Sequence, residues 1–126
     1  MKKVSLKLAN GGYDIIIGQA MLGQVGTMLK KAGFDNKLVI ITDSRVKNLY
    51  GNKLKQSLED GGYEVLLLEV PQGEEQKSLD TAGRLYNELT DFYAERRTPV
   101  LALGGGVIGD LAGFVAATYM LSLIHI

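Results

Sequence analysis

The strongest constraint on the fold is an alternation of helical patterns and short apolar runs that begins near residue 20. Apolar residues spaced three and four apart predict helices, whereas short continuous apolar runs predict strands that are covered on both faces. Strands that alternate with helices form parallel sheets through right-handed crossovers. The sequence therefore predicts an α/β domain with a Rossmann-like parallel sheet and flanking helices.

The predicted strands are residues 38–42, 63–70 and 99–103, and the predicted helices are residues 21–32, 46–58, 79–92 and the segment from residue 107 onward. Two earlier runs, 4–9 and 13–17, flank Asn10-Gly11-Gly12 and predict an N-terminal β-hairpin. The spacing places on buried helix faces the side chains of Val46, Leu49, Tyr50, Leu54 and Leu58, of Leu79, Ala82, Leu85, Tyr86, Leu89 and Phe92, and of Gly113, Ala116 and Ala117.

Composition excludes several classes of protein. The chain has 14 Lys and Arg residues and 14 Asp and Glu residues, so no bulk charge is present to hold nucleic acid or an anionic membrane. It has no cysteine and a single histidine, which excludes disulfide scaffolds and thiol nucleophiles and makes a metal site within this chain unexpected. The N-terminal residues do not resemble a signal peptide. These features indicate a soluble cytoplasmic protein.

The C-terminal stretch is apolar. Residues 111–126 carry no formal charge over 16 positions. A membrane span needs about 20 predominantly apolar residues, so a helix buried in the core of a larger protein is favoured. After residue 119 the sequence shows no pattern that predicts a polar cap or a closing strand. We therefore expect that the sequence is cut off.

The main candidate site is the run of residues 104–110, GGGVIGD, which follows a predicted strand and opens a predicted helix. Glycines let backbone amides approach a ligand, and a helix N-terminus adds unpaired donors and the positive end of a dipole. Together they favour an anion site, most naturally for a pyrophosphate. Gly104, Gly106 and Gly109 fit G-x-G-x-x-G, although not after the first strand, and a tightly packed strand–helix turn is the alternative.

Two further candidates lie at the ends of other predicted strands, and therefore at the same sheet edge. The Asp43 carboxylate could accept the hydroxyls of an adenosine ribose and repel a 2′-phosphate, which would favour NAD over NADP; it could also cap the next helix. In residues 71–78, Glu74 and Lys77 could hold ribose and phosphate oxygens, or this segment could be a solvated loop before a helix capped by Ser78.

Asp110 is expected in the first turn of the last helix, where its negative charge would interact favourably with the positive end of the helix dipole. Beside a pyrophosphate site it would instead reach a ribose or substrate hydroxyl. His125 is expected to be inert.

Four motifs in order resemble the 3-dehydroquinate synthase family. Residues 104–120, GGGVIGDLAGFVAATYM, resemble the signature segment of that family, and residues 71–78 resemble its second cofactor segment, P-x-G-E-x-x-K-S. Residues 13–18 resemble its opening hairpin, and Thr42-Asp43 resembles its adenosine-ribose aspartate. The resemblance extends over residues 1–120.

The resemblance implies a phosphate-eliminating lyase of the shikimate pathway, which converts 3-deoxy-D-arabino-heptulosonate 7-phosphate into 3-dehydroquinate. In that family NAD transiently oxidises a ring hydroxyl, phosphate is eliminated and hydride returns, while zinc or cobalt polarises the hydroxyl. The N-terminal domain mainly binds NAD, and a following helical domain supplies the metal ligands and most substrate contacts. The full-length family is implied to be a homodimer.

Carried over by position, the resemblance implies that Asp43 holds the adenosine ribose and that Glu74 and Lys77 line the cofactor groove. It implies that the glycine-turn backbone faces the pyrophosphate and that Asp110 lies near the nicotinamide. The implied NAD-binding set is Asp43, Glu74, Lys77, Gly105, Gly106, Val107, Ile108, Gly109 and Asp110.

The resemblance ends at residue 120. The family continues with an arginine and a glycine, whereas position 121 is leucine and residues 121–126 match nothing expected. We therefore expect an NAD-binding domain over 1–120 and a non-matching tail over 121–126. Since the metal ligands and catalytic residues come later in the family, this chain alone is expected to be inactive.

Two other functions remain open. One is a related sugar-phosphate cyclase, such as 2-deoxy-scyllo-inosose synthase, which shares the glycine segment. The other is a non-enzymatic dinucleotide-binding module. Polyol dehydrogenases of similar architecture are disfavoured because they usually carry serine where this chain has Val107.

Overall fold

The structure, a computed structural model, describes residues 2–9, 11–34, 36–95, 98–119 and 122–126. Asn10 of the predicted hairpin turn and residues 120–121 at the end of the resemblance lie outside the described residues. In chain order the elements are β1 (Lys2–Leu8), β2 (Gly11–Ile17), a 3₁₀ turn (Leu22–Gln24), α1 (Val25–Lys31), β3 (Lys37–Asp43), α2 (Ser44–Val46), a π-helical turn (Lys47–Gly51), α3 (Asn52–Asp60), β4 (Glu64–Val70), a second 3₁₀ turn (Glu74–Gln76), α4 (Leu79–Asp91), β5 (Pro99–Leu103), α5 (Gly106–Tyr119) and β6 (Ser122–His125).

The main sheet has four parallel strands in the order β4-β3-β5-β6. β3 is central, with β4 on one side and β5 on the other, so the chain passes β3 when it runs from β4 to β5. Helices α1 and α3 contribute to one core, and α4 and α5 contribute to the other. The predicted Rossmann-like parallel sheet with flanking helices is confirmed.

Strand β3 divides its side chains between the two cores. Leu38 and Ile40 pack with α3, whereas Val39 and Ile41 pack with α4 and α5. All four side chains are fully buried. This two-sided burial is why the segment reads as a continuous apolar run and not as an alternation of apolar and polar residues.

The predicted N-terminal hairpin is confirmed, but it forms a separate two-stranded sheet. β1 and β2 pair antiparallel, with Val4 opposite Ile15. Directly opposite residues share a face, so the register collects apolar side chains on one side of the hairpin. Val4, Leu6 and Leu8 on that face are at least 38% exposed.

The C-terminal segment contradicts one expectation. Residues 122–125 form β6, which pairs parallel with β5 at the sheet edge, so the expectation of no closing strand is wrong. α5 is a 14-residue helix that contributes five buried side chains to the core, as expected for an apolar helix in a protein interior. Among the described residues, no helix is both long and apolar enough to span a bilayer.

Three predicted helix faces are wrong in detail. Leu49 and Tyr50 are half exposed, because the π-helical turn adds a residue to the helical repeat and rotates their side chains away from the core. On α4, Leu79 is 78% exposed. On α5, Ala117 is exposed whereas Ala112 is fully buried, so the packed stripe is shifted from the predicted one.

Helices α1 and α3 end as their glycines predict. Gly33 and Gly62 have φ angles of 93° and 94°, in the left-handed region that glycine adopts without strain. After α3, the amide of Gly62 donates to the carbonyl of Glu59 and the amide of Tyr63 donates to the carbonyl of Leu58, at 3.0 and 3.1 Å. These paired bonds close the helix and direct the chain into β4.

The same substitution at two glycines is expected to have opposite effects. Gly62→Ala should lower the free energy of unfolding by about 1 kcal/mol, because a side chain is strained at this φ angle. Gly83→Ala should raise it by about 0.5–1 kcal/mol, because Gly83 lies inside α4 with open space around its Cα. Urea unfolding of both variants measures the difference, and equal shifts would contradict the assignment of Gly62 as the helix terminator.

Candidate functional site

The candidate site lies at the carboxyl edge of the main sheet, where neighbouring connections leave β3 and β5. Asp43 is the last residue of β3, residues 71–73 follow β4, and residues 104–105 follow β5. β3 pairs with β4 on one side and β5 on the other, so the chain order reverses at this point. Open α/β sheets bind ligands in the crevice outside such a reversal.

The glycine turn presents a row of backbone donors. No described residue accepts a hydrogen bond from the amides of residues 105–108, which are the last residue before α5 and its first three residues. The amide of Gly104 donates to the carbonyl of Ile126 at 3.3 Å, and that of Gly109 donates to the carbonyl of Gly105 at 3.0 Å. Gly109 therefore stabilises the helix start, and the four amides between these two are available to an anion.

Close packing explains only one of the three consecutive glycines. At Gly104, φ is 153°, and a Cβ would approach the side chain of Ile108 to 3.2 Å. At Gly105 and Gly106 a Cβ would meet nothing within 4 Å. These two glycines border a cavity of about 170 Å³. The cavity is lined by Asp43, Pro71, Gln72, Gly73, Gly105, Gly106, Val107 and Ile108.

The two carboxylate oxygens of Asp43 have different surroundings. Its Oδ1 accepts a hydrogen bond from the amide of Val46 at 2.8 Å, which caps α2. Its Oδ2 has no hydrogen-bond partner within the part of the chain that the structure describes. The half-buried carboxylate therefore caps a helix with one oxygen, and Asp43 also lines the cavity.

Glu74, Lys77 and Asp110 form a second part of the site. The Nζ of Lys77 lies 2.8 Å from Oδ2 of Asp110 and 3.2 Å from Oε2 of Glu74. The hydrogen bond to Asp110, followed by that to Glu74, raises the pKa of Lys77 above its usual value. The three groups are exposed, so they link the loop after β4 to α5 while remaining accessible to a ligand.

Asp110 differs from its expected position. α5 begins at Gly106, which makes Asp110 its fifth residue, and the first turn contains no acidic side chain. The effect of the helix dipole falls off within that turn. The expected dipole role is therefore wrong, and Asp110 is held by Lys77 instead. This ion pair also offsets the negative charge that would disfavour an anion nearby.

A second, more apolar hollow of about 280 Å³ adjoins this ion pair. Its lining residues are Lys77, Ser78, Leu79, Asp110, Leu111 and Phe114. Sequence periodicity placed Leu79 in the core, so it missed this surface. The signal that could have found it is position: Leu79 directly follows Ser78, which caps α4 by accepting a hydrogen bond from the amide of Thr81 at 3.1 Å. First-turn residues such as Leu79 lie at the sheet edge.

His125 and the acidic side chains are the groups in this chain that could act as metal ligands. Nε2 of His125 lies 3.2 Å from the carbonyl oxygen of Gly104, so the ring contacts the glycine turn. The sequence analysis predicted no role for His125. Within the described ranges, no three His, Cys, Asp or Glu side chains come together as a metal site would require.

Removing the carboxylate of Asp110 should change the titration of Lys77. In Asp110→Asn the pKa of Lys77 is expected to fall towards 10.5, because the larger of its two stabilising hydrogen bonds to a charged partner is lost. A raised lysine pKa contributes stability below the unfolded value, and that stability disappears as the pH rises through the folded value. NMR titration of the lysine side-chain carbons measures this shift.

Asp60→Asn is the control, since Asp60 accepts a hydrogen bond from Gln56 and not from a lysine. An unchanged Lys77 pKa in Asp110→Asn would contradict the ion pair.

Known proteins match both the sequence and the fold. A family model described as the N-terminal part of 3-dehydroquinate synthase matches residues 67–126. A 3-dehydroquinate synthase of Dehalococcoides mccartyi is 48% identical over 128 residues, which cover 100% of this chain and 36% of that protein. A 3-dehydroquinate synthase of Desulforamulus reducens is 43% identical and is matched over 33% of its length. The chain thus spans about a third of the length of the curated relatives that it matches.

Solved structures of related cyclases share the fold. A 2-deoxy-scyllo-inosose synthase complexed with carbaglucose-6-phosphate, NAD⁺ and Co²⁺ superposes with a TM-score of 0.85 at 27% identity, over 99% of this chain and 34% of that one. A 2-epi-5-epi-valiolone synthase from Streptomyces hygroscopicus with NAD⁺ and Zn²⁺ bound gives a TM-score of 0.76 at 28% identity, over 95% of this chain and 33% of that one. Sequence and fold agree, and the chain is similar to the N-terminal portion of 3-dehydroquinate synthases.

Proposed function

We propose that this chain is the NAD-binding portion of a 3-dehydroquinate synthase. The observation that carries the proposal is the row of four amides after β5 that have no partner among the described residues, in a segment that lines the same cavity as Asp43. A dinucleotide needs donors for its diphosphate and an acceptor for its ribose hydroxyls, and these two features supply both.

The cofactor would lie along the carboxyl edge of the sheet. The amides of residues 105–108 donate to the diphosphate, where open space at Gly105 and Gly106 allows close approach. Oδ2 of Asp43 accepts hydrogen bonds from the adenosine ribose. Glu74, Lys77 and Asp110 lie towards the nicotinamide end, beside the apolar hollow at Phe114. Gly109 supports the site indirectly, because its amide hydrogen bond to Gly105 stabilises the first turn of α5.

NAD, when bound, supplies a reversible hydride acceptor. This chain's own residues bind and orient it: the amides fix the diphosphate, and the Lys77–Asp110 pair fixes the rim of the cleft. The described residues do not fit a metal ion, since the Asp110 and Glu74 carboxylates are engaged by Lys77.

The substrate of the complete enzyme is, on this proposal, 3-deoxy-D-arabino-heptulosonate 7-phosphate, and the products are 3-dehydroquinate and phosphate in the shikimate pathway. Sequence identity of 48% to a 3-dehydroquinate synthase supports this choice of substrate. The chain alone would bind NAD without releasing phosphate, because metal binding and most substrate contacts are implied to lie in the part of the family that follows.

A related sugar-phosphate cyclase is the second candidate function. The TM-score of 0.85 to a 2-deoxy-scyllo-inosose synthase favours it, since nearly all of this chain superposes on about a third of that enzyme. Both candidates require the same NAD site in this chain. A non-enzymatic dinucleotide-binding module is the third, and it predicts the same binding with no reaction in any longer form of the protein.

Filling the open space at the glycine turn should abolish cofactor binding. Gly106→Val places a branched side chain where the diphosphate would approach, so the Kd for NAD should rise at least about tenfold, the equivalent of about 1.4 kcal/mol. The fold should persist, because a Cβ at Gly106 meets nothing within 4 Å. Titration calorimetry measures binding, and Gly83→Val on α4 is the matched control. Unchanged NAD binding in Gly106→Val would overturn the proposed site.

The charge of Asp43 should decide between NAD and NADP. The wild-type chain is expected to bind NAD more tightly, because a carboxylate repels the 2′-phosphate of NADP. Asp43→Asn keeps the helix cap but removes the charge, so the ratio of the two Kd values should fall about tenfold, roughly 1.4 kcal/mol. Calorimetric titration with each cofactor tests this, and a wild-type preference for NADP would count against the placement of the ribose.

A further inference from the structure

Thr42 is a buried polar residue in an otherwise apolar strand. Its side chain is fully buried, and the four residues before it on β3 are Leu38, Val39, Ile40 and Ile41. Valine has nearly the same shape and would fill this position without a polar atom to desolvate. A hydroxyl is favourable in such surroundings only when it is hydrogen-bonded.

The hydroxyl of Thr42 has one specific partner. It donates to the carbonyl oxygen of Leu103 across the β3–β5 boundary at 2.7 Å, and this bond is buried. Leu103 is the last residue of β5, and its carbonyl belongs to the peptide unit that joins it to Gly104. The bond therefore holds the peptide unit from which the glycine turn starts.

The position of this bond in the sheet adds to its effect. Thr42 and Leu103 are the final pair in the β3–β5 register, and beyond them the two chains diverge to form the crevice. Gly104 then has a φ angle of 153°, and its amide makes only a 3.3 Å contact to the carbonyl of Ile126. The Thr42 bond is thus the shorter of these two hydrogen bonds at the base of the turn.

The rest of the Thr42 side chain is also held. A Cβ added at Gly51, in the π-helical turn, would lie 3.6 Å from the Cγ2 methyl of Thr42. Gly51 is itself buried, so the methyl packs against this turn while the hydroxyl faces Leu103. A β-branched side chain has few χ1 alternatives, which keeps the donor aimed at the carbonyl.

We propose that Thr42 is a positioning residue of the dinucleotide site. Its hydroxyl orients the Leu103–Gly104 peptide unit, so that the amides of residues 105–108 remain directed into the cavity beside Asp43. This inference rests on the proposed function for its ligand, the diphosphate of a dinucleotide, but the restraint on the turn exists without a ligand.

The test compares Thr42→Val, which removes the donor, with Thr42→Ser, which keeps it. Titration calorimetry with ADP-ribose and with adenosine separates the diphosphate from the nucleoside. Thr42→Val should weaken ADP-ribose binding about three- to tenfold, as expected for loss of one hydrogen bond, and leave adenosine binding unchanged. Thr42→Ser should bind both within about twofold of wild type. Thr42→Ala, which also lacks the donor, replaces Thr42→Val if the latter does not fold by circular dichroism.

A second measurement needs no ligand. Backbone ¹⁵N relaxation of the unliganded chain should show lower order parameters at Gly105 and Gly106 in Thr42→Val and wild-type values in Thr42→Ser. Unchanged order parameters in Thr42→Val, or equal impairment of both variants, would overturn the inference. If the wild-type chain binds neither NAD nor ADP-ribose but the order parameters fall as expected, the proposed function fails and the restraint on the turn stands.

Discussion

The site depends on the pairing of β3 with a parallel strand on each side. β4 and β5 both align with β3, so three loops leave the sheet at the same edge. The connections run to opposite faces, which opens a crevice between the ends of β3 and β5. Without this pairing, Asp43 and the glycine turn, separated by about 60 positions in the sequence, would have no reason to meet.

Two kinds of electrostatic group lie at this edge. The first is the row of main-chain amides at residues 105–108, which carry partial positive charge and no side-chain charge. The second is the group of Glu74, Lys77 and Asp110, in which one ammonium bridges two carboxylates. On the proposed function, a chain with no net charge would bind a diphosphate through local dipoles and not through a surface field.

Most of the fold could be predicted from local patterns. The hairpin, the three core strands 38–42, 63–70 and 99–103, and the glycine helix terminators follow from spacing and backbone preference, and all are present. The errors occur where tertiary packing overrides spacing. The π-helical turn turns Leu49 and Tyr50 outward, the start of α4 exposes Leu79, and the pairing of β6 with β5 adds a strand that the apolar C-terminal run did not reveal.

The sequence by itself determined which residues are suited to the site: side-chain-free positions before a helix, a carboxylate after a buried strand, and a carboxylate and a lysine three positions apart. These properties are local, since they depend on backbone freedom and on chemical type. Only the tertiary structure decided that Asp43 both caps α2 and faces the cavity, that Asp110 is paired with Lys77, and that Thr42 holds the peptide unit before the glycine turn. The helix cap of Asp43 spans only 3 positions, but the Asp110–Lys77 and Thr42–Leu103 contacts join residues 33 and 61 positions apart. These two contacts depend on sheet register and helix packing, which no local pattern encodes.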